Sequence, residues 1–194
     1  MNNFLKRFIV LISAIILVSC ISNFFGDGPP RIIKKASTKD AIPRSEPLSK
    51  YGNGDKNGYY EVRGKRYRVM PSARNYSATG IASWYGTKFH GRYTSNREIY
   101  YIYAMTAAHK SLPLPTYLEV TNIENNKKVI VRVNDRGPFI DDRLIDLSYA
   151  AALKLDVVKN GTAQVKVRTV TEKNYDEAIA ISNNTFIQLG VFTE

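Results

Sequence analysis

Three polar side chains near the middle of the chain have the chemistry of acid–base groups: Asp135, Glu98 and His109. Asp135 follows a segment with valine at every second position, residues 129–133, and precedes an Arg-Gly-Pro turn at 136–138. This context predicts a tight loop at a strand end, where catalytic groups tend to lie. A carboxyl that acts as a general acid must keep its proton, so burial or a second carboxylate must raise its pKa above about 3.9. Glu98 is the obvious second carboxylate, and His109 could orient the acid or bind a substrate hydroxyl.

Each of these residues also has a structural interpretation. Asp135 could pair with Arg132 or Arg136 and brace its loop, and such a pair would lower its pKa, which is the wrong direction for an acid. His109 could be a buried histidine with satisfied hydrogen bonds. Asp146 suits a helix cap better than a metal ligand, and hard-cation sites need about six oxygen ligands or more. We therefore predict no metal site and no cofactor.

The segments that must position these residues have the pattern of short strands. We predict a hairpin at Tyr59–Tyr67 and strands at Gly80–Tyr85, Tyr100–Ala107, Thr116–Ile123, Lys128–Val133 and Ala163–Val170. Asp146–Ser148 can cap one short helix over Ala150–Leu155. Many short strands with a single helix predict a mainly β fold, a compact barrel or sandwich of about 90 residues.

Composition and charge limit the class of protein. With 44% hydrophobic and 23% charged residues, the 194-residue chain can build a packed core. Its single cysteine excludes a disulfide framework and a cysteine-based zinc site. The net charge of +11 is concentrated towards the N-terminus, because residues 21–79 hold 12 Lys or Arg against 5 Asp or Glu. Such a basic segment attracts polyanions or simply stays solvated.

The N-terminus has the pattern of an export signal. Lys6 and Arg7 precede the apolar stretch Phe8–Val18, which Ser13 alone interrupts and which is short for a membrane span. The sequence Leu-Val-Ser-Cys ending at Cys20 resembles a bacterial lipobox, so we expect a lipoprotein signal at 1–19 and a lipidated Cys20. The alternative is an ordinary signal peptide with an incidental cysteine. Export would exclude nucleic acid as the partner and would place the chain at the periplasmic face of the outer membrane.

Residues 20–58 lack a hydrophobic period and are rich in Pro, Gly, Ser and Lys, which predicts a disordered basic tether between the lipid and the folded part. Residues 59–78 then form an extension that contains the hairpin. We place the barrel itself at residues 79–170.

Four segments carry a resemblance to a known family: Gly80–Ser95, Thr106–Lys110, Val131–Phe139 and Asp142–Ala152. Together they resemble the rare lipoprotein A (RlpA) family. The resemblance implies a six-stranded double-psi β-barrel with one or two short helices. It also implies lytic transglycosylase activity on peptidoglycan glycan strands, with a preference for strands without stem peptides and with cell-division proteins as possible partners.

By this resemblance, Glu98, His109 and Asp135 occupy the family's functional positions. Asp135 would protonate the glycosidic oxygen, and the muramic 6-hydroxyl would close on C1 to give a 1,6-anhydro end without water. Three aromatic residues could supply flat surfaces for sugar rings or could belong to the core. The candidate substrate-binding residues are Trp84, Tyr85, Phe89, Thr94, Asn134 and Arg136.

The chain departs from the family pattern in two places. Arg97 stands where the family has a glycine, which permits a positive φ or a close approach of the substrate, so arginine would strain the turn or fill the groove. Tyr101 stands where the family has an aspartate. Arg97 would also hold Glu98 ionised. Within residues 171–194, Phe186–Phe192 resembles only the first strand of a glycan-binding SPOR domain. These departures favour a second hypothesis, a glycan-binding or division-site scaffold without catalysis.

Overall fold

A computed structural model describes residues 28–30, 39–140 and 142–176 of the chain. The elements that lie wholly within these residues are eight strands, one α-helix and one 3-10 helix, and residues 172–176 are also helical. In chain order they are β1 (Tyr59–Val62), β2 (Lys65–Arg68), β3 (Ser77–Trp84), the 3-10 helix (Thr87–Phe89), β4 (Thr106–His109), β5 (Thr116–Asn122), β6 (Lys128–Asp135), β7 (Arg143–Leu147), α1 (Tyr149–Lys154) and β8 (Thr162–Thr169).

Six of the strands close into a barrel in the order β3-β7-β4-β6-β5-β8. The β3–β7 and β4–β6 pairs are parallel and the other four are antiparallel. Alternate aliphatic side chains of the strands fill the interior, and Leu118, Val131 and Val165 are fully buried there. The prediction of a mainly β, six-stranded barrel is confirmed.

One predicted strand is wrong, and one observed strand was not predicted. The strand predicted at Tyr100–Ala107 is wrong, because β4 begins only at Thr106 and the preceding residues form turns. Tyr100 and Ile102 are buried instead in a small cluster outside the barrel interior. A turn that buries aromatic side chains has the composition of a strand, which explains the error. The short strand β7 has no counterpart in the sequence prediction.

The predicted helix is present as α1, but its cap is different. The Ser148 hydroxyl accepts a hydrogen bond from the Ala151 amide at 3.2 Å and is the N-cap. Asp146 does not cap the helix, because it lies within β7. The alanines of α1 are buried, since small side chains let the helix approach the barrel closely.

The N-terminal segment that was predicted to be a tether through residue 58 is packed on the barrel from residue 39 onward. The Ala41 amide donates to the Ile130 carbonyl at 2.9 Å, and the Ser49 amide donates to the Leu114 carbonyl at 2.8 Å. The Asn53 side chain also bonds to Leu114. Backbone and amide hydrogen bonds attach this segment, so no hydrophobic period marks it in the sequence.

The predicted signal at 1–19, Cys20 and the SPOR-like strand Phe186–Phe192 lie outside the described residues and stay predictions. Within the described ranges, no helix has the length and apolar character needed to cross a membrane.

Glu46 attaches the N-terminal segment to the barrel through an ion pair. Its two carboxylate oxygens accept from Nε and Nη2 of Arg132 at 3.0 and 2.8 Å, and the Tyr117 hydroxyl donates to it as well. The hydrogen bonds from Arg132, Tyr117 and Arg44 outweigh the opposing effect of burial and lower the pKa of Glu46 to about 2.

We predict that Glu46→Gln destabilises the protein by about 1.5–3 kcal/mol at neutral pH, the range for hydrogen bonds to charged groups. The pKa of Glu46 is lower in the folded than in the unfolded chain, so its contribution is present above pH 4.5 and is lost as the pH falls towards 2. Urea unfolding at neutral and acidic pH measures both effects. Glu61→Gln on the exposed hairpin is the control, and equal stability of the two variants at neutral pH would contradict the prediction.

Candidate functional site

The barrel carries an open groove with a volume of about 370 Å³. One wall consists of aromatic residues at and after the end of β3, and the other consists of the loop after β6. Its lining residues are Arg63, Trp84, Tyr85, Lys88, Phe89, Ala108, Asp135, Arg136, Gly137, Pro138, Phe139, Ile140, Arg143 and Asp146. The predicted residues Asp135, Trp84, Tyr85, Phe89 and Arg136 all belong to this set.

Asp135 ends strand β6 and lies in the groove, as the sequence predicts. A register shift pairs it with Ala108 of β4 and leaves Asn134 as the extra residue. Its Oδ1 accepts hydrogen bonds from the Ser95 amide at 2.8 Å, the Ser95 hydroxyl at 2.6 Å and the Arg136 amide at 2.7 Å. Among the described residues, no hydrogen bond reaches its Oδ2 and no guanidinium forms an ion pair with it. The ion pair of Asp135 with Arg132 or Arg136 that the structural interpretation requires is therefore absent from the described residues, and Asp135 bonds to Arg136 only through its backbone amide.

Glu98 lies outside the groove and is held by Arg132. Nη1 of Arg132 is 2.8 and 2.7 Å from its two oxygens, and the side-chain amides of Asn96 and Asn134 donate to it at 2.9 and 2.8 Å. Burial works to raise the pKa of Glu98, but these donors outweigh it and hold the pKa below its usual value. The residue that keeps Glu98 ionised is Arg132 and not the neighbouring Arg97.

His109 points away from Asp135. Because Ala108 faces the groove and successive residues of a strand alternate faces, the His109 ring lies on the opposite side, where it is buried. Its Nδ1 accepts from the amides of Ser111 and Leu112 at 3.2 and 3.1 Å, so the ring proton is on Nε2, which donates to the Tyr76 hydroxyl at 3.1 Å. Burial, with smaller effects of nearby cations, lowers the pKa of His109 to about 4. His109 is thus a neutral brace of the loop after β4, and it does not orient Asp135.

The predicted substrate-binding residues divide into two groups. Trp84 and Phe89 line the groove, and Phe89 is 40% exposed, so both present ring surface to a ligand. Tyr85 lines it too, but its ring is buried against Tyr100 with centroids 4.3 Å apart. This aromatic wall is the feature of the groove that the sequence predicts best.

The three polar members of that prediction are buried and already hydrogen-bonded. The Thr94 hydroxyl contacts Asn96 Oδ1 and the Glu98 carbonyl, and the Asn134 amide donates to Glu98. The Arg136 guanidinium donates to three backbone carbonyls and to Asn53, although its residue borders the groove. Thr94, Asn134 and Arg136 therefore shape the site rather than present free polar groups to a ligand.

Sequence reasoning missed Asp146, which lines the groove from strand β7. The Ser83 hydroxyl donates to its Oδ1. Burial raises the pKa of Asp146, against the hydrogen bond from Ser83 and the charges of Arg143 and Lys110. The sequence signal that could have identified it is Ser148, which is a better N-cap and comes two residues later. With Ser148 as the cap, Asp146 belongs to the segment before the helix and is available for the groove. Among the described residues, no group of three His, Cys, Asp or Glu side chains is placed to hold a metal ion.

Comparison with known proteins assigns the barrel to a family. Residues 77–167 match the family described as lytic transglycolase. The chain is 56% identical over 133 residues to endolytic peptidoglycan transglycosylase RlpA of Vibrio cholerae, covering 69% of this chain and 49% of that protein. The barrel belongs to the RlpA family of double-psi β-barrels. The protein of the same name from Neisseria meningitidis serogroup A is 46% identical over 158 residues, 81% of this chain and 64% of its own length.

The chain spans between about half and two thirds of the length of these two relatives. Among solved structures, the Streptomyces papain inhibitor is similar over 52% of the chain and 98% of its own, with a TM-score of 0.42 and 22% identity.

Arg97, at the position where the RlpA family has a glycine, has a left-handed backbone conformation that glycine adopts without strain. Its φ is +71°, which strains any residue with a Cβ. Its guanidinium lies 5.6 Å from the centre of the Tyr51 ring. The predicted need for a positive φ at this position therefore agrees with the structure.

We predict that Arg97→Gly is more stable than Arg97→Ala by about 1 kcal/mol, because only glycine relieves the strain while both lose the Tyr51 contact. Urea unfolding of the two variants measures the difference. Arg92, exposed and without a positive φ, is the control site, where alanine should be at least as stable as glycine. An alanine variant at 97 as stable as the glycine variant would contradict the prediction.

We also predict that His109 makes the folded state sensitive to mild acid. Its pKa is about 4 when folded against 6.5 ordinarily, so its contribution is present above pH 6.5 and is lost as the pH falls towards 4. The size is about 3 kcal/mol at about 1.4 kcal/mol per pKa unit. Unfolding free energies across this window should lose much of their slope in His109→Gln. The exposed His90, replaced in the same way, is the matched control, and a wild-type slope in His109→Gln would contradict the prediction.

Proposed function

We propose that this chain is a lytic transglycosylase that cleaves the bond between N-acetylmuramic acid and N-acetylglucosamine in peptidoglycan, preferentially in peptide-free strands. The observation that carries the proposal is Asp135, a carboxylate fixed through Oδ1 at the edge of an open groove with aromatic walls. The names of the relatives, endolytic peptidoglycan transglycosylases, support the same reaction.

The reaction needs two proton transfers and no water. A carboxylic acid of the groove protonates the glycosidic oxygen while the bond from C1 to that oxygen breaks and an oxocarbenium-like state forms. The muramic C6 hydroxyl then bonds to C1, and its proton passes to a carboxylate. The net result is a 1,6-anhydro end and a new N-acetylglucosamine hydroxyl, so every proton is accounted for. Asp135 is positioned to take part in these transfers because its Oδ2 accepts no hydrogen bond from the described residues.

The rest of the groove suits a sugar chain. Trp84 and Phe89 offer ring faces on which the apolar faces of sugar rings can stack. Lys88 and Arg143 add positive charge to the lining, which favours a substrate with carboxylates such as the muramic lactyl group. A glycan strand can lie along a groove that is open to solvent, whereas a closed pocket would exclude the rest of the strand.

A second function, glycan binding without catalysis, is favoured by two observations at the Glu98 loop. Arg132 holds Glu98 as an ion pair outside the groove, and Arg97 strains the turn before it. If the reaction needs Glu98 to move or to exchange a proton, this arrangement opposes it. The aromatic groove would still bind the strand.

For the location we propose a lipid anchor at Cys20 and a position at the periplasmic face of the outer membrane, near the division site. The support is the lipobox-like sequence at the N-terminus and the cell-wall substrate of the proposed reaction. Radiolabelled palmitate should enter the wild-type chain in a bacterial host and should not enter Cys20→Ala.

Product analysis tests the reaction. The full chain, purified in detergent, is incubated with peptide-free and with intact glycan strands, and the products are identified by mass spectrometry. We expect anhydro-ended fragments from the wild type and a loss of about 10²- to 10⁴-fold in rate for Asp135→Asn. Asp156→Asn, an exposed aspartate remote from the groove, is the matched control and should keep the wild-type rate.

Two other outcomes would contradict the enzyme. A folded wild type that releases no fragments but sediments with glycan supports the binding function. A wild type that neither cleaves nor binds either substrate excludes both functions.

A further inference from the structure

The groove contains a second carboxyl that shares a row of side chains with Asp135. Ala108 of β4 pairs with Asp135 of β6 on one side and with Asp146 of β7 on the other. Asp146 in turn pairs with Ser83 of β3. Residues paired directly across neighbouring strands point to the same face of a sheet, so these four side chains form one row across four strands. Ala108 is the residue between Asp135 and Asp146 in this row, and all three of these residues line the groove.

The loop after Asp135 is adapted to Asp146. Gly137 has a φ of +137°, which few residues other than glycine adopt. A Cβ built at Gly137 would lie 3.8 Å from the Ala108 Cβ and 3.9 Å from Asp146 Oδ2. The backbone of this loop therefore passes close over Asp146 without a side chain to cover it.

The other titratable groups of the site cannot share this task. Glu98 is held ionised by Arg132 outside the groove, and His109 is neutral on the opposite face of β4. Among the described residues, Asp135 and Asp146 are the two carboxyls of the groove lining. Three donors converge on Oδ1 of Asp135, a pattern that suits a carboxylate because it can only accept. Asp146 accepts from a single hydroxyl.

We propose that Asp146 is a second catalytic carboxyl of the groove, which donates the proton to the glycosidic oxygen, while Asp135 accepts the proton of the muramic C6 hydroxyl. The inference rests on the proposed function. As the bond from C1 to the glycosidic oxygen breaks, the Asp146 proton goes to that oxygen. As the C6 oxygen bonds to C1, its proton goes to Asp135. The proton then returns from Asp135 to Asp146, directly or through solvent, and the site is restored.

The stereochemistry of the product suits two carboxyls on one face. A 1,6-anhydro bridge joins C1 and C6 on one face of the sugar ring, the same face from which the leaving oxygen of a β-linkage departs. Both proton transfers therefore take place on one side of the sugar. Carboxyls on opposite walls of a groove would suit attack from the far side, whereas neighbours in one row of a sheet suit this geometry.

The charges around Asp146 agree with its role as the proton donor. Burial favours the neutral acid and raises the pKa of Asp146, and the neighbouring charge of Asp135 acts in the same direction. Ser83 from β3, Arg143 from β7 and Lys110 after β4 act in the opposite direction, and burial outweighs them. Tyr85 lines the same groove and stays neutral, because burial raises its pKa far above the ordinary value.

The rate of anhydro-product formation as a function of pH tests the proposal, with the full chain in detergent and peptide-free glycan strands. We expect Asp146→Asn to lose at least about 100-fold in kcat while glycan still sediments with it. Ser83→Ala removes a hydrogen bond that favours the ionised form of Asp146. Asp146 should therefore keep its proton to higher pH, and the alkaline limb of the pH–rate profile should move to higher pH. A merely structural role of Asp146 would not move that limb. Asp156→Asn is again the matched control.

Other results would overturn either the role of Asp146 or the proposed function itself. An Asp146→Asn variant as active as Asp156→Asn, or an alkaline limb unmoved in Ser83→Ala, overturns the proposal. If Asp146→Asn does not fold, two other measurements test the role of Asp146. They are the alkaline limb of the pH–rate profile of Ser83→Ala and the titration of the Asp146 carboxyl by carbon NMR. A wild type without products overturns the proposed function and any catalytic part for Asp146 with it. In that case a raised NMR pKa of Asp146 that falls in Asp135→Asn would still establish the coupled pair, and an ordinary value would refute it.

Discussion

The site depends on one guanidinium, that of Arg132, which lies between two carboxylates. Glu46, in the N-terminal segment, accepts hydrogen bonds from Nε and Nη2 of Arg132. Glu98, in the loop after the aromatic wall, accepts from Nη1. The planar, fixed geometry of arginine sets the distance between these two parts of the chain. The fixed Glu98 loop contains Ser95, whose amide and hydroxyl both hold Asp135. Residues far from the groove thereby determine where its carboxylate lies.

A second constraint is the extra residue in β6. Without the register shift at Asn134, Ala108 would pair with Asn134, and Asp135 would point to the face on which His109 lies. The shift places the Asp135 side chain on the same face of the sheet as Asp146, and it leaves the Asn134 amide free to donate to Glu98. One irregularity thus separates the two acidic groups by function: Asp135 belongs to the groove, and Glu98 belongs to the framework that supports it.

The sequence sufficed for the parts that local patterns determine. Alternating valines located β6, and the polar turn after them placed Asp135 at a strand end. It could not place His109, because the face of a four-residue strand depends on a register shift in its neighbour. It missed Asp146, because a short strand before a helix has the same residues as a helix cap. It extended the tether to residue 58, because backbone hydrogen bonds and a few polar side chains such as Glu46 and Asn53 attach the segment from residue 39, and these leave no hydrophobic pattern in the sequence.

The two departures from the family pattern act on the framework and not on the groove. Arg97 strains the turn before Glu98 and contacts Tyr51, and Tyr101 packs against His90 with ring centroids 5.2 Å apart. Neither residue belongs to the groove lining. If catalysis resided in Glu98, both changes would act on the reacting group. If the reacting row is Asp135 and Asp146, as we propose, a strained Glu98 loop lowers stability and leaves the proton transfers in place, provided that Ser95 still holds Asp135.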